Sequence, residues 1–136
     1  MGIKKAYCTY CSRQKSDDEG KIPALQRYRS QRIAQVNLRA TIDGYPFYIL
    51  SGSYGFIPAT YPLPYYDHLL LPEEVDRMVE RAARQMQDAG LETLNYYSND
   101  PEYDPNLLPY QTVIVKTCQI VGVKLDLSYF PKTMDD

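Results

Sequence analysis

Apolar and polar positions along this chain set out four strands and three helices. Ile3 to Tyr10 reads as strand one and ends in the polar run Cys11-Ser12-Arg13-Gln14-Lys15. From about Leu25 to Thr41, the residues Leu25, Tyr28, Ile33, Val36 and Ala40 form a helical stripe. Arg27, Arg29, Arg32 and Arg39 cover the other faces, and Asp43-Gly44 closes the segment. Tyr45 to Leu50 is a near-continuous apolar run, as in a strand covered on both faces. A helix starts at Pro72, with Glu73, Glu74 and Asp76 at the positive end of its dipole. Val75, Met78, Val79, Ala82, Met86 and Ala89 share one face, and Gly90 forms the exit. Leu91 to Ser98 reads as a third strand, and Asn99 to Asn106 as a loop. Pro109 to Val121 reads as a helix, with Val113, Ile114, Thr117, Cys118 and Val121 at helical spacing. Val123 to Tyr129 alternates with a period of two, which marks a half-exposed strand at a sheet edge. The tail 131–136 is expected to fray.

The order β-α-β-loop-α-β-α-β predicts an α/β fold: a three-layer, Rossmann-like domain with a mainly parallel four-stranded sheet. Right-handed crossovers leave few topologies, of which strand order 2-1-3-4 puts the alternating strand outermost. The carboxyl ends of strands one and two are then neighbours, and their loops are expected to form one site. With 136 residues, no repeat and no linker, the chain 1–136 reads as a single domain.

The segment 45–68, YPFYILSGSYGFIPATYPLPYYDH, changes the picture because its loop half is neither flexible nor bland. Pro58, Pro62 and Pro64 lock φ, while Tyr54, Tyr61, Tyr65 and Tyr66 offer flat faces and hydroxyls. Open α/β sheets bind ligands where such loops leave their strands. The alternative is an aromatic-rich loop that packs on its own core.

Charge is asymmetric. Residues 1–39 carry nine Lys/Arg against three Asp/Glu, while the remainder is acidic and the net charge is −2. A basic amino-terminal surface suits phosphate, but overall acidity argues against strong non-specific DNA binding. No apolar stretch is long enough for a membrane span, and the first residues lack the apolar core of a secretory signal. Three cysteines form no disulfide framework and point to a reducing, cytoplasmic setting. Cys8 and Cys11 make a single CxxC, half of a zinc site, so no metal is assigned; no cofactor is assigned either.

The turn after strand one offers Ser12 and backbone N–H groups to an anion, with Arg13 and Lys15 as counter-charge. It lacks the glycines of a P-loop. Cys11-Ser12-x-x-Lys15, then Pro23-Ala24-Leu25 with Tyr28 and Ser30, then Leu50-Ser51-Gly52-Ser53-Tyr54-Gly55 and Pro64-Tyr65-Tyr66-Asp67, resembles the peroxide-stress protein YaaA family. The match covers roughly residues 3–90 and is closest to that family's short relatives. In that family the corresponding elements line a cleft, and the family is associated with DNA binding. The archaeosine synthase alpha subunit carries a similar Cys…Lys…Tyr…Ser pattern in which the lysine attacks a nitrile-bearing base. That resemblance implies Lys15 as a nucleophile. The chain departs from that pattern in having Tyr10 before the cysteine, Ser16-Asp17 after the lysine, and no histidine after Ser30.

The expected function is binding of a nucleotide, nucleoside or exposed nucleic-acid base at the carboxyl edge of the sheet. Cys11, Ser12, Arg13, Tyr28, Ser30, Ser51, Tyr54, Gly55, Tyr66 and His68 are the candidate ligand-binding residues. Lys15 and Asp67 are the candidate catalytic ones, with Asp67-His68 as a potential acid/base pair. A base-modifying or lyase-type enzyme using Lys15 and a protein-interaction domain are the alternatives. Oligomeric state is not legible.

Overall fold

A computed structural model describes residues 4–134. Strands are β1 (Lys5–Tyr10), β2 (Ile22–Pro23), β3 (Phe47–Ser51), β4 (Gly55–Pro58), β5 (Pro62–Leu63), β6 (Thr93–Ser98) and β7 (Lys124–Tyr129). Helices are α1 (Ala24–Arg27), α2 (Gln31–Asp43), α3 (Val75–Ala89) and α4 (Leu108–Val121). Single 3-10 turns, Pro72–Glu74 and Pro105–Leu107, lead into α3 and α4. Ile3, expected to open the first strand, lies outside the described residues.

The fold is mixed α/β. Its central sheet has five strands in the order β4-β3-β1-β6-β7. The pairs β3–β1, β1–β6 and β6–β7 are parallel, whereas β4 runs antiparallel to β3. This corrects the expected four-stranded sheet: part of the Tyr/Pro stretch folds back as an edge strand. Phe56 and Ile57 supply its buried positions, and Pro58 fits because an edge strand has no ladder bond for it to lose. β2 and β5 form a separate two-residue antiparallel pair.

Alternate residues of β1 face opposite layers. Tyr7 and Thr9 meet Asp43 and Arg32 of α2 on one side. Cys8 faces the other side, where Cys118 of α4 packs against Met86 of α3. Gly44, Gly90 and Gly122 end α2, α3 and α4 in the left-handed conformation that glycine adopts without strain.

Two expectations about the first helix are overturned. It breaks at residues 28–30, because Tyr28 is extended and bridges to Lys15 while Ser30 caps α2 by accepting from the Ile33 N–H at 3.1 Å. Nor do all its arginines face solvent, since Arg27 and Arg32 are fully buried. Arg27 donates to the carbonyls of Ser16 (2.7 Å), Asp18 (2.9 Å), Gly20 (2.7 Å) and Leu63 (3.2 Å). Arg32 donates to Thr9 Oγ1 (2.8 Å) and to the carbonyls of Tyr10 (2.6 Å) and Cys11 (3.1 Å). Its guanidinium lies 3.5 Å from the Tyr10 ring centroid. In the tail Met134 is tied down rather than frayed, since the Asn99 side chain donates to Met134 O and accepts from Met134 N; residues 135 and 136 lie outside the described residues.

Removing either guanidinium strands two buried carbonyls, those of Ser16 and Leu63 for Arg27 and of Tyr10 and Cys11 for Arg32, each costing about 1–3 kcal/mol. Arg27→Met and Arg32→Met are each expected to lower the unfolding free energy by about 3 kcal/mol or more, read by urea denaturation. The exposed Arg29→Met and Arg39→Met should change it by less than about 0.5 kcal/mol.

Candidate functional site

β1 is the sheet's central strand, and its carboxyl end is held from both sides. The Cys11 N–H continues the pairing by donating to Leu50 O at 2.9 Å, and Arg32 holds the carbonyls described above. Beyond it, Ser12 Oγ donates to Gln14 O at 2.6 Å, Ser16 N–H to Arg27 O at 2.7 Å, and Arg29 N–H to Gln14 O at 2.9 Å. The Cys11–Lys15 turn is therefore fixed by main-chain contacts.

Lys15 rests on an aromatic wall. Its Nζ is 4.8 Å from the Tyr66 ring centroid and 5.9 Å from that of Tyr28, and 3.4 Å from Arg13 O. The hydroxyls of Tyr28 and Tyr66 share a hydrogen bond of 2.5 Å, and Tyr66 also pairs with Ser51 Oγ at 2.7 Å. Ser51 Oγ in turn accepts from the N–H groups of Ser53 (3.2 Å) and Tyr54 (3.0 Å), closing the turn between β3 and β4. Tyr54 stands edge-on to Tyr66 with centroids 5.3 Å apart. Burial pushes the Tyr28 and Tyr66 hydroxyls well above the ordinary tyrosine range, so the network is uncharged.

The hollow lies beside this network. A cleft of about 340 Å³ opens where the ends of β1 and β6 meet the loop between β5 and α3. Cys11, Ser12, Arg13, Lys15, Asp67 and His68 line it, as do Asn99, Asp100, Tyr103 and Asp104 from the loop after β6, with Tyr110 of α4. Thus six of the residues singled out from sequence meet at one cavity. Tyr28, Ser51, Tyr54 and Tyr66 back Lys15 rather than line the cleft, Ser30 is a helix cap, and Gly55 belongs to the hairpin. A Cβ on Gly55, whose φ is +83°, would lie 2.3 Å from Gln85 Oε1.

The cleft is not between the ends of the first two expected strands, as anticipated, but between β1 and the expected third. The reason is topological. From β1 the chain winds outward to β3 and then returns to β6 on the other side, so the crevice opens where the winding reverses. The expected order already contained that reversal, and it was the signal for Asn99, Asp100 and Asp104.

Asp67 and His68 do not pair. His68 Nε2 lies 2.9 and 3.0 Å from the two carboxylate oxygens of Glu74. The Leu71 N–H, donating to Glu74 at 2.8 Å, and then His68 hold that carboxyl below its usual range. The CxxC splits as well. Cys8 is in the core, with its thiol pushed up by burial, while Cys11 donates to the Tyr110 hydroxyl at 3.6 Å. Burial pushes the Cys118 thiol up to about 12. Among the described residues no group of three or more His, Cys, Asp or Glu is placed to hold a metal.

Comparison with protein-family models, with curated proteins and with solved structures yields no match in any of the three.

Two outcomes test this geometry. A Cβ on Gly52 would lie 2.9 Å from both His68 O and the Tyr110 hydroxyl. Gly52→Ala should therefore cost about 1–3 kcal/mol in urea denaturation. Tyr28, Tyr66, Tyr96 and Tyr110 all keep their protons above the ordinary value because of burial. The unfolded chain releases them near pH 10 and the folded one does not. Their contribution is complete below about pH 10 and falls above it by about 1.4 kcal/mol per pH unit for each group. Denaturation midpoints should thus be flat with respect to tyrosine ionisation up to about pH 9.5 and drop steeply beyond it.

Proposed function

We propose that the cleft binds a nucleoside, a free nucleobase or a nucleotide of low charge, held at the carboxyl edge of the sheet. The observation that carries this reading is the lining. Lys15 and Arg13 from one loop meet Asp67, Asp100 and Asp104 from two others, with Tyr10, Tyr103 and Tyr110 around them. Donors and acceptors in near balance suit a heterocycle, whose edge carries both, and aromatic faces suit its plane. Two fixed cations against three carboxylates disfavour a triphosphate. Position supports the same reading, since open α/β sheets take ligands where strand order reverses.

We take the fold as Rossmann-like and three-layered, its parallel strands in the order second, first, third, fourth, with β4 as an addition. Of the residues that resemble the YaaA family's motif, Cys11, Ser12, Lys15 and Asp67 line the cleft and Tyr28, Ser51 and Tyr66 back Lys15, which supports a short YaaA-like identity, whereas Ser30 and Gly55 serve a helix cap and a hairpin. The three free, buried thiols support a cytoplasmic setting. In this reading Lys15 is a binding residue. The Tyr28 and Tyr66 rings attract an ammonium cation, whereas a nucleophilic lysine uses a neutral amine.

The test is a melting-temperature screen with nucleobases, deazaguanines, nucleosides, their monophosphates and triphosphates, followed by calorimetry. A ligand at a hundred times its Kd should stabilise the chain by about 2.7 kcal/mol. Lys15→Ala should weaken binding by roughly tenfold or more and Lys15→Arg by much less. Turnover lost in Lys15→Arg would instead support a base-modifying enzyme. If no compound in the panel shifts melting, the nucleoside reading is overturned.

A further inference from the structure

The two edges of the sheet differ. On the β4 side, Pro58 removes a main-chain donor. On the other side, β7 has β6 as its one neighbour among the described strands. The Lys124 N–H donates to Glu92 O at 2.9 Å and the Phe130 N–H to Ser98 O at 3.0 Å. Even-numbered residues of β7 therefore turn their main chain toward β6. By alternation, Leu125 and Leu127 turn theirs outward. An edge left open in this way is a template for another strand. Exposed apolar side chains flank it, with Ile120 66% and Tyr129 41% accessible.

We propose that β7 is the interface of a twofold dimer, in which a second copy of this chain adds its own β7 antiparallel, Leu125 opposite Leu125. Main-chain direction allows only registers that set odd residues opposite odd ones, and charge selects among these. Leu125 opposite Leu127 would put Asp126 against Asp126. Leu127 opposite Leu127 sets Asp126 against Ser128 and gives Lys124 no acidic partner. Leu125 opposite Leu125 sets Lys124 of each copy opposite Asp126 of the other, twice by symmetry. Both pairs then occupy non-hydrogen-bonded positions, where cross-strand side chains come closest. In the same register Tyr129 of each copy extends past Lys124 of the other, toward the turn that follows its α4. One six-residue strand buries less than a standard interface, so the dimer is weak and concentration-dependent.

Sedimentation velocity on the full chain, up to about 1 mM, is the test, since an association of only about 4 kcal/mol registers there. Wild type should dimerise with rising concentration. Asp126→Lys and Lys124→Asp each turn two attractive pairs into two repulsive ones and should raise the dissociation constant about tenfold or more. Mixed together, the two variants should associate again, because each supplies the charge the other lacks. Both positions are exposed, so unchanged melting temperatures will confirm folding. A wild type that stays monomeric throughout, a single variant that associates as wild type does, or a mixture that stays monomeric overturns the proposal.

Discussion

Two buried guanidinium groups set the shape of everything at the carboxyl end of β1. Where a strand leaves its sheet, its carbonyls lose their ladder partners and need others. Arg32 and Arg27 supply them from the helical segment that follows, each donating to more than one carbonyl. A planar fork with five donors can satisfy several carbonyls at once, which a lysine ammonium cannot do at this geometry. The carbonyls from Tyr10 to Gly20 that bond these cations point inward. Ser12, Arg13 and Lys15, on the same stretch of chain, stand at the cleft.

Tyrosine does the corresponding work across the rest of the site. Tyr110 of α4 accepts from Leu70 N–H at 3.0 Å and from the Cys11 thiol, so one hydroxyl joins three segments. Tyr66 joins the β3 end, through Ser51, to Tyr28 and carries Lys15 on its ring. Uncharged hydroxyls suit these positions, because a charged group there would add a desolvation cost. The Tyr/Pro segment is tied by hydroxyl hydrogen bonds as well as constrained by its prolines.

Strands and helices with strong periodicity were legible in the chain: the parallel strands, α3 with its single apolar face, and α4 despite its β-branched content. β4 was not, because the glycine and proline that bound it are also loop residues, and only pairing with β3 distinguishes the two. The burial of Arg27 and Arg32 was hidden for a related reason. An arginine at helical spacing reads as a solvated face unless the carbonyls that need it are known, and these lie in a loop whose path periodicity does not describe. Four of the six cleft residues were found because the loop after a central strand carries them, and Asp67 and His68 because they end the Tyr/Pro segment. The remainder were missed because the ends of strands one and two were paired as the site, although the expected order reverses between one and three.

The basic amino-terminal third looks different once the fold is known. Arg27 and Arg32 contribute no surface charge, because they are buried among carbonyls. Lys5 lies over the Tyr7 and Tyr45 rings, and Lys15 over those of Tyr28 and Tyr66. A run of cations that would suit a phosphate backbone is thus partly structural. The cleft it borders also receives carboxylates from two other loops. Affinity for a polyanion rises with the number of phosphates neutralised, and few cations here are placed for that. The proposed ligand, a small, hydrogen-bonding, weakly charged ring system, would make better use of such a lining than a nucleic-acid backbone would.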